Sequence, residues 1–210
     1  MSTKNQVLYR HAGVDIDEGD RAVSAIKRFA RATFTKGVLT DIGSFGGGYL
    51  LKGYRKPVLV SSADGRSFDR IVSLPVPGMP NETTLRFMPD GEMVALVRRE
   101  AGDRSAWVGR SRAPYTNWTW RETTHQVGGP NFIRLPDGEL WASGRRYPGG
   151  PTTAIARMTL DGGYEPVLTL PSGGDASYAG MVWHANMLWV SYYSSHEGKT
   201  AIYLARLKVR

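Results

Sequence analysis

The sequence predicts a mainly β chain: a partial propeller of about three blades over residues 58–210, behind a short α+β segment over residues 1–57. Three observations predict it. First, Thr84-Leu85-Arg86-Phe87-Met88-Pro89-Asp90-Gly91-Glu92-Met93-Val94-Ala95-Leu96-Val97-Arg98-Arg99 aligns with Asn131 to Arg146 at a constant offset of 47, and a weaker third copy runs from Tyr178 to Tyr193. Second, each copy carries a strand, a tight turn and a second strand. The turn is Pro-Asp-Gly twice and Ala185-Asn186 in the third copy, and a further strand follows in each, ending at Arg110, Arg157 and Arg206. Third, repeats of roughly 40–50 residues built from short strands and turns are the pattern of propeller blades, whose equivalent positions converge on a central channel.

The elements follow in order. Asp17 is placed to cap a helix over about 18–32, with Val23, Ile26, Phe29 and Ala30 as its apolar stripe and Lys27, Arg28 and Arg31 toward its C-terminal end. Gly37 ends that region, and Gly43-Ser44-Phe45-Gly46-Gly47-Gly48 reads as a loop leading to a strand over 57–61. In the blades Phe132, Leu135, Leu140, Trp141, Ile155, Leu168 and Leu170 fall on short alternating strands. Proline presets one dihedral of each Pro-Asp-Gly turn and glycine accepts a positive one.

Composition narrows the function classes. The net charge is +8 with pI near 9.8. Residues 1–62 hold ten Lys and Arg against five Asp and Glu, so the excess reads as a solvated helix face and no nucleic-acid partner is expected. The absence of cysteine excludes disulfides, thiolate metal sites and a thiol nucleophile. No apolar run approaches a membrane span and Met1 to Gln6 lacks a signal-peptide core, so no membrane partner and a cytoplasmic location are expected. His11, His125, His184 and His196 show no ligand spacing with carboxylates, so neither a metal nor a cofactor is expected.

Three stretches of the N-terminal part carry a resemblance. They are Tyr9-Arg10-His11-Ala12-Gly13-Val14-Asp15-Ile16-Asp17, Leu39-Thr40-Asp41-Ile42-Gly43-Ser44-Phe45-Gly46-Gly47 and Tyr54-Arg55-Lys56-Pro57-Val58-Leu59-Val60-Ser61-Ser62-Ala63-Asp64-Gly65. This part is similar to the N-terminus of phosphoribosylformylglycinamidine cyclo-ligase (aminoimidazole ribonucleotide synthetase), the ATP-dependent ring-closing enzyme of purine biosynthesis. In that family a Val-Gly-Thr-Lys segment follows and serves the nucleotide phosphates; here Arg66-Ser67-Phe68-Asp69 stands in its place.

From Val58 onward the chain resembles the sialidase-like (BNR-repeat) β-propeller proteins. The matching stretches are Val60 to Phe68, the two Pro-Asp-Gly hairpins, and Ser191 to Thr200. Ser61 to Phe68 resembles an Asp box with Ala63 at the aspartate position, so Asp64 must supply the turn hydrogen bonds from one place later. Val58 to Gly65 reads acceptably in both families, and the whole chain is chimera-like. The resemblance implies six blades, so two copies about a twofold axis would close a ring of three plus three.

It also implies an exo-sialidase-like glycoside hydrolase or a glycan-binding propeller acting on an anionic sugar. Such chemistry needs guanidinium clamps, a carboxylic acid and a nucleophile, which in sialidases is tyrosine. Arg98-Arg99 and Arg145-Arg146 occupy equivalent places and are the substrate-binding candidates with His196. Tyr192 and Tyr193 take nearly that place in the third copy and are the nucleophile candidates, with Glu82 and Glu197 for acid or base roles. In each pair, alternation turns one side chain to the channel and the other into the blade packing. Trp118 and Trp120 point the same way along a strand and offer a sugar platform. The alternatives are a noncatalytic carbohydrate- or protein-binding propeller and a remnant of the ATP-dependent ligase.

Overall fold

The computed structural model describes residues 57–64 and 66–209, and the helix and glycine-rich loop expected in the N-terminal segment lie outside the described residues. The described residues belong to one compact unit, Arg55–Arg210, and among them thirteen strands form four antiparallel sheets. β1 (Val58–Ser61) and β2 (Asp69–Ser73) make a hairpin. β3 (Pro80–Phe87), β4 (Met93–Arg99), β5 (Trp107–Ser111) and β6 (Thr119–Glu122) make blade I. β7 (Gly128–Arg134), β8 (Leu140–Arg146), β9 (Thr152–Met158) and β10 (Tyr164–Thr169) make blade II. β11 (Ala176–His184), β12 (Met187–Ser194) and β13 (Ala201–Leu207) make blade III. Each sheet is an up-and-down meander, and the first strands of successive blades, β3, β7 and β11, lie side by side.

The turns form as their residues dictate. The Met88 amide donates to the Glu92 carbonyl and the Gly91 amide to Met88, with Gly91 at φ 79°. Leu135, Glu139 and Gly138 repeat the pattern with Gly138 at φ 97°, and the Asp90 and Asp137 carboxylates each accept the amide two residues on. In blade III the turn is two residues, Ala185 and Asn186, both left-handed at φ 49° and 57°. In the β1–β2 hairpin Asp64 accepts from the amides of Arg66 and Ser67 and from the Ser62 and Ser67 hydroxyls. The two amides and those hydroxyls hold its carboxyl well below the usual carboxylate range, against a small opposing effect of burial.

The core lies between sheets. The β1–β2 hairpin and the chain after it put Leu59, Leu74 and Val76 against one face of β4, made by Met93, Ala95 and Val97. The other face of β4, Val94 and Leu96, joins Ala106 and Val108 to meet Phe132, Leu140, Ala142, Ala156 and Met158 of blade II. The far side of blade II, with Trp141 and Ile155, meets Leu188, Val190 and Tyr192 of blade III. Each fully buried Val, Leu or Phe stabilises the stack by about 1.5–3 kcal/mol.

The far face of blade III differs. Leu204 and Ile202 are 63% and 76% exposed, whereas Val108 and Ala106 of blade I and Ile155 and Thr153 of blade II, at the matching register, are buried by the next sheet. Among the described residues no helix is long and apolar enough to cross a membrane.

Candidate functional site

Side-chain alternation and a recurring β-bulge build one cluster at the channel. In β3, β7 and β11 the register slips between Pro80 and Thr83, between Gly128 and Asn131, and between Ser177 and Gly180. Each slip leaves two residues out of the ladder: Asn81-Glu82, Gly129-Pro130 and Tyr178-Ala179. A bulge bends its strand and re-aims a side chain. Glu82, Gly129 and Tyr178 are all bulge residues, equivalent in the three blades by offsets of 47 and 49, and they touch. The Gly129 amide donates to Glu82 Oε2 at 2.8 Å, and the Tyr178 hydroxyl donates to Glu82 Oε1.

Gly129 is at φ 54°, and a Cβ there would stand 3.1 Å from the Tyr178 nitrogen, so glycine gives Tyr178 its place. Ser177 and Tyr178 are themselves left-handed, at φ 113° and 48°. Such backbone costs about 1–3 kcal/mol per residue and gathers at functional sites. Tyr178 is 53% exposed.

A second row runs along β4, β8 and β12: Arg98, Arg145 and Tyr193. Arg98 Nη1 donates to Glu82 Oε2 at 2.7 Å and Nη2 pairs with Glu100 at 2.5 Å. Arg145 donates through Nε to the Ala176 carbonyl and through Nη2 to Asp175 Oδ1, both at 2.7 Å, and reaches the Tyr193 hydroxyl at 3.1 Å. Tyr193 donates to the same Asp175 oxygen at 2.7 Å. The Tyr178 and Tyr193 rings stack 5.9 Å apart, and the Arg145 guanidinium lies 5.8 Å from the Tyr178 ring centre.

Burial pushes the Glu82 carboxyl up, but hydrogen bonds from Tyr178, Arg98 and Gly129 outweigh it and hold the pKa below the ordinary 4.5. Glu82 is thus a carboxylate at neutral pH. Burial raises the Tyr178 phenol, and the hydrogen bond to Glu82 raises it further. Burial first, and Asp175 second, push Tyr193 up to about 12. The cluster therefore holds neutral phenols, each donating to a carboxylate.

Of the expected residues, Glu82, Arg98, Arg145 and Tyr193 meet here. The other five stand elsewhere. Arg99, with a side chain 8% exposed, turns into its own blade and donates to the Pro77 and Ser105 carbonyls and to Asp103 and Glu122, with its guanidinium 5.2 Å from the Trp107 ring centre. It clasps a loop instead of a substrate. Arg146, next along β8 from Arg145, takes the opposite side of the strand; burial first, and then its charge, lower the pKa of His125.

Tyr192 is buried, donates to the Pro171 carbonyl and stacks on Tyr203, so it serves packing and not nucleophilic attack. Tyr203 also donates to Glu197 and packs against His196, whose Nδ1 bonds the Ser194 hydroxyl. These residues form their own group around Tyr203. The Trp118 and Trp120 rings stack on each other 5.3 Å apart and, partly buried, pack against the core beside blade I, apart from the cluster.

Sequence reasoning missed Tyr178, Asp175, Glu100 and Gly129. The connection between β11 and β12 is one residue shorter than the Pro-Asp-Gly connection. The inner strand of blade III is therefore offset by 49 from blade II, as Gly128 to Ser177, while Arg145 to Tyr193 keeps 48. Aligning the third copy by 47 sets Tyr178 on Asn131. The correct offset sets it on Gly129, beside Glu82.

No family model matches the chain. Over the N-terminal part it is similar to phosphoribosylformylglycinamidine cyclo-ligase of Clostridium novyi (strain NT), 58% identical over 57 residues, which are 27% of this chain and 17% of that protein. The same enzyme of Alkaliphilus oremlandii is 50% identical over 62 residues, 29% of this chain and 18% of that one. The chain thus spans less than a fifth of the length of these relatives.

Among solved structures, a Dyadobacter fermentans protein of unknown function matches with TM-score 0.63 and 24% identity, over 74% of this chain and 46% of that one. An endo-arabinase from Bacteroides thetaiotaomicron matches with TM-score 0.57 and 16% identity, over 78% of this chain and 70% of its own. An endo-1,4-beta-xylanase from the same organism gives 0.56 and 14%, over 72% and 60%. At these identities the likeness is one of fold. The chain is therefore chimera-like, with a cyclo-ligase-like N-terminal part followed by a mainly β part that has the fold of the β-propeller glycoside hydrolases.

Proposed function

We propose that this chain acts on a glycan at the Glu82, Tyr178, Tyr193 and Arg145 cluster, as a glycoside hydrolase that shares with sialidases a tyrosine nucleophile and not their acidic substrate. One observation carries the reading: the Tyr178 phenol, half exposed on a strained bulge, donates to the Glu82 carboxylate across blades, over 96 residues of sequence. A raised phenol pKa makes tyrosine a poor nucleophile unless a base takes its proton as it attacks. Glu82 is that base, held ionised by Arg98 and the Gly129 amide. The anomeric carbon gains a bond to the phenol oxygen as the leaving oxygen departs, and the phenol proton passes to Glu82. An ionised Glu82 does not serve as the acid, so substrates with good aryl leaving groups turn over faster than alkyl glycosides.

A panel of fluorogenic aryl glycosides, sialosides included, tests the reading. Turnover lost in Tyr178→Phe with glycan binding kept is the expected outcome; glycan binding without turnover in the unsubstituted chain selects a noncatalytic binding propeller instead. The N-terminal likeness supports a second reading, an ATP-dependent ligase remnant, which predicts thermal stabilisation by ATP that deletion of residues 1–57 removes.

The partner in this reading is a second copy. The exposed Ile202 and Leu204 face of blade III is the surface it covers, since the same positions are buried wherever another sheet follows. Sedimentation at a dimer mass, returning to a monomer in Ile202→Lys/Leu204→Lys, is expected; a monomer at all concentrations removes the ring.

A further inference from the structure

The channel arginines bear on what kind of sugar the site accepts. As a sequence feature, two arginine doublets call for an anionic ligand. In the structure both channel arginines already hold carboxylates. Arg98 is pinned between Glu82 at 2.7 Å and Glu100 at 2.5 Å, and Glu100 also accepts from Asn81. Arg145, 15% exposed, is held by the Ala176 carbonyl, by Asp175 and by Tyr193. Two cations face three anions, Glu82, Glu100 and Asp175, so the cluster carries one excess negative charge. A ligand carboxylate entering such a site meets repulsion and must first displace an internal carboxylate from its guanidinium.

Asp175 is the member a ligand meets. Its side chain is 69% exposed, and its carboxylate bridges Arg145 and Tyr193, where the carboxylate of an acidic sugar would otherwise sit. It is carried by the β10–β11 connection, which is anchored by backbone and hydroxyl bonds between Gly173 and Ser194 and between Gly173 and Ser195. The anchoring holds the carboxylate on Arg145 as a fixture of the site. Stacked phenols, with Tyr178 outermost, give a flat apolar face, and the carboxylates beside it accept hydrogen bonds from sugar hydroxyls.

From this we infer that Asp175 is a specificity-determining residue that occupies the anion place on Arg145, so that the site accepts uncharged glycosides and rejects acidic ones. The inference rests on the glycan reading above and names its substrate class.

The test is binding of two matched oligosaccharide sets, one neutral and one bearing uronic or sialic acid, to the full chain and to Asp175→Asn, at about 50 mM and about 500 mM salt. Neutral glycans are expected to bind the unsubstituted chain more tightly and with little salt dependence. Asp175→Asn is expected to raise affinity for the acidic set about threefold to tenfold. The neutral set should move much less, and Asp175→Glu should restore rejection. Thermal melting of both variants separates this from a folding defect, which lowers both sets together. A preference of the unsubstituted chain for acidic glycans, or equal movement of both sets in Asp175→Asn, overturns the inference and leaves the glycan reading standing. Binding of neither set removes the glycan reading and this inference with it.

Discussion

Replacing Phe132 with alanine is expected to lower the unfolding free energy by about 3–5 kcal/mol, the largest stability effect of any single truncation in the blades. Phe132 is fully buried and stands where Val94, Leu96, Ala106 and Val108 of blade I meet Leu140, Ala142, Ala156 and Met158 of blade II. Backbone lies close on both sides: Arg86 Nε donates to the Phe132 carbonyl at 3.0 Å, and Thr84 Oγ1 donates to the Pro130 carbonyl at 2.6 Å. These interblade bonds keep the sheets from closing over the vacated space, which places the loss at the high end for a large-to-small change. Urea unfolding measures it. A loss below about 1 kcal/mol would show that the blades are not held by this interface.

Glu82→Gln is expected to reduce turnover of an aryl glycoside by about 10²–10⁴-fold, with a much smaller change in KM. The carboxylate accepts three bonds, from Tyr178, Arg98 and the Gly129 amide. A carboxamide has one acceptor oxygen, so its NH₂ must face a donor, and the base is lost. The same group makes stability depend on pH. Its folded pKa lies below 4.5, so its contribution is present above the unfolded value and disappears as the pH falls through the folded one. Acid unfolding of Glu82→Gln should therefore have a flatter limb below about pH 5 than that of the unsubstituted chain. Equal limbs would mean that Glu82 titrates as it does in the unfolded chain.

The blades were legible because a repeated turn is a strong local signal. Pro-Asp-Gly fixes both a hairpin and its register, and Asp90 and Asp137 complete it with their own hydrogen bonds. Alternation likewise put Arg98 and Arg145 on the side away from Arg99 and Arg146. What alternation could not reveal was the bulge, an extra residue with no signature except a glycine at one of its three occurrences. Tyr178 was hidden by the bulge together with the offset that the shorter β11–β12 turn shifts, and Asp175 by lying on the connection before β11. Tyr192 failed as a candidate because its neighbour already faced the channel, and a strand gives that direction to alternate residues only. The arginine doublets show cations without showing which anions fold against them, here Glu82 and Glu100 on Arg98 and Asp175 on Arg145.

The bulge positions of the three blades hold Glu82, Gly129 and Tyr178: an acceptor, a space and a phenol. The cluster arises from how the copies disagree, within a frame they share. Consensus engineering, which overwrites each repeat with the most frequent letter, would firm up the sheets while erasing the cluster. The reverse also follows, since exchanges along this single ring of three places act on the cluster first, and at Glu82 and Gly129 on stability as well.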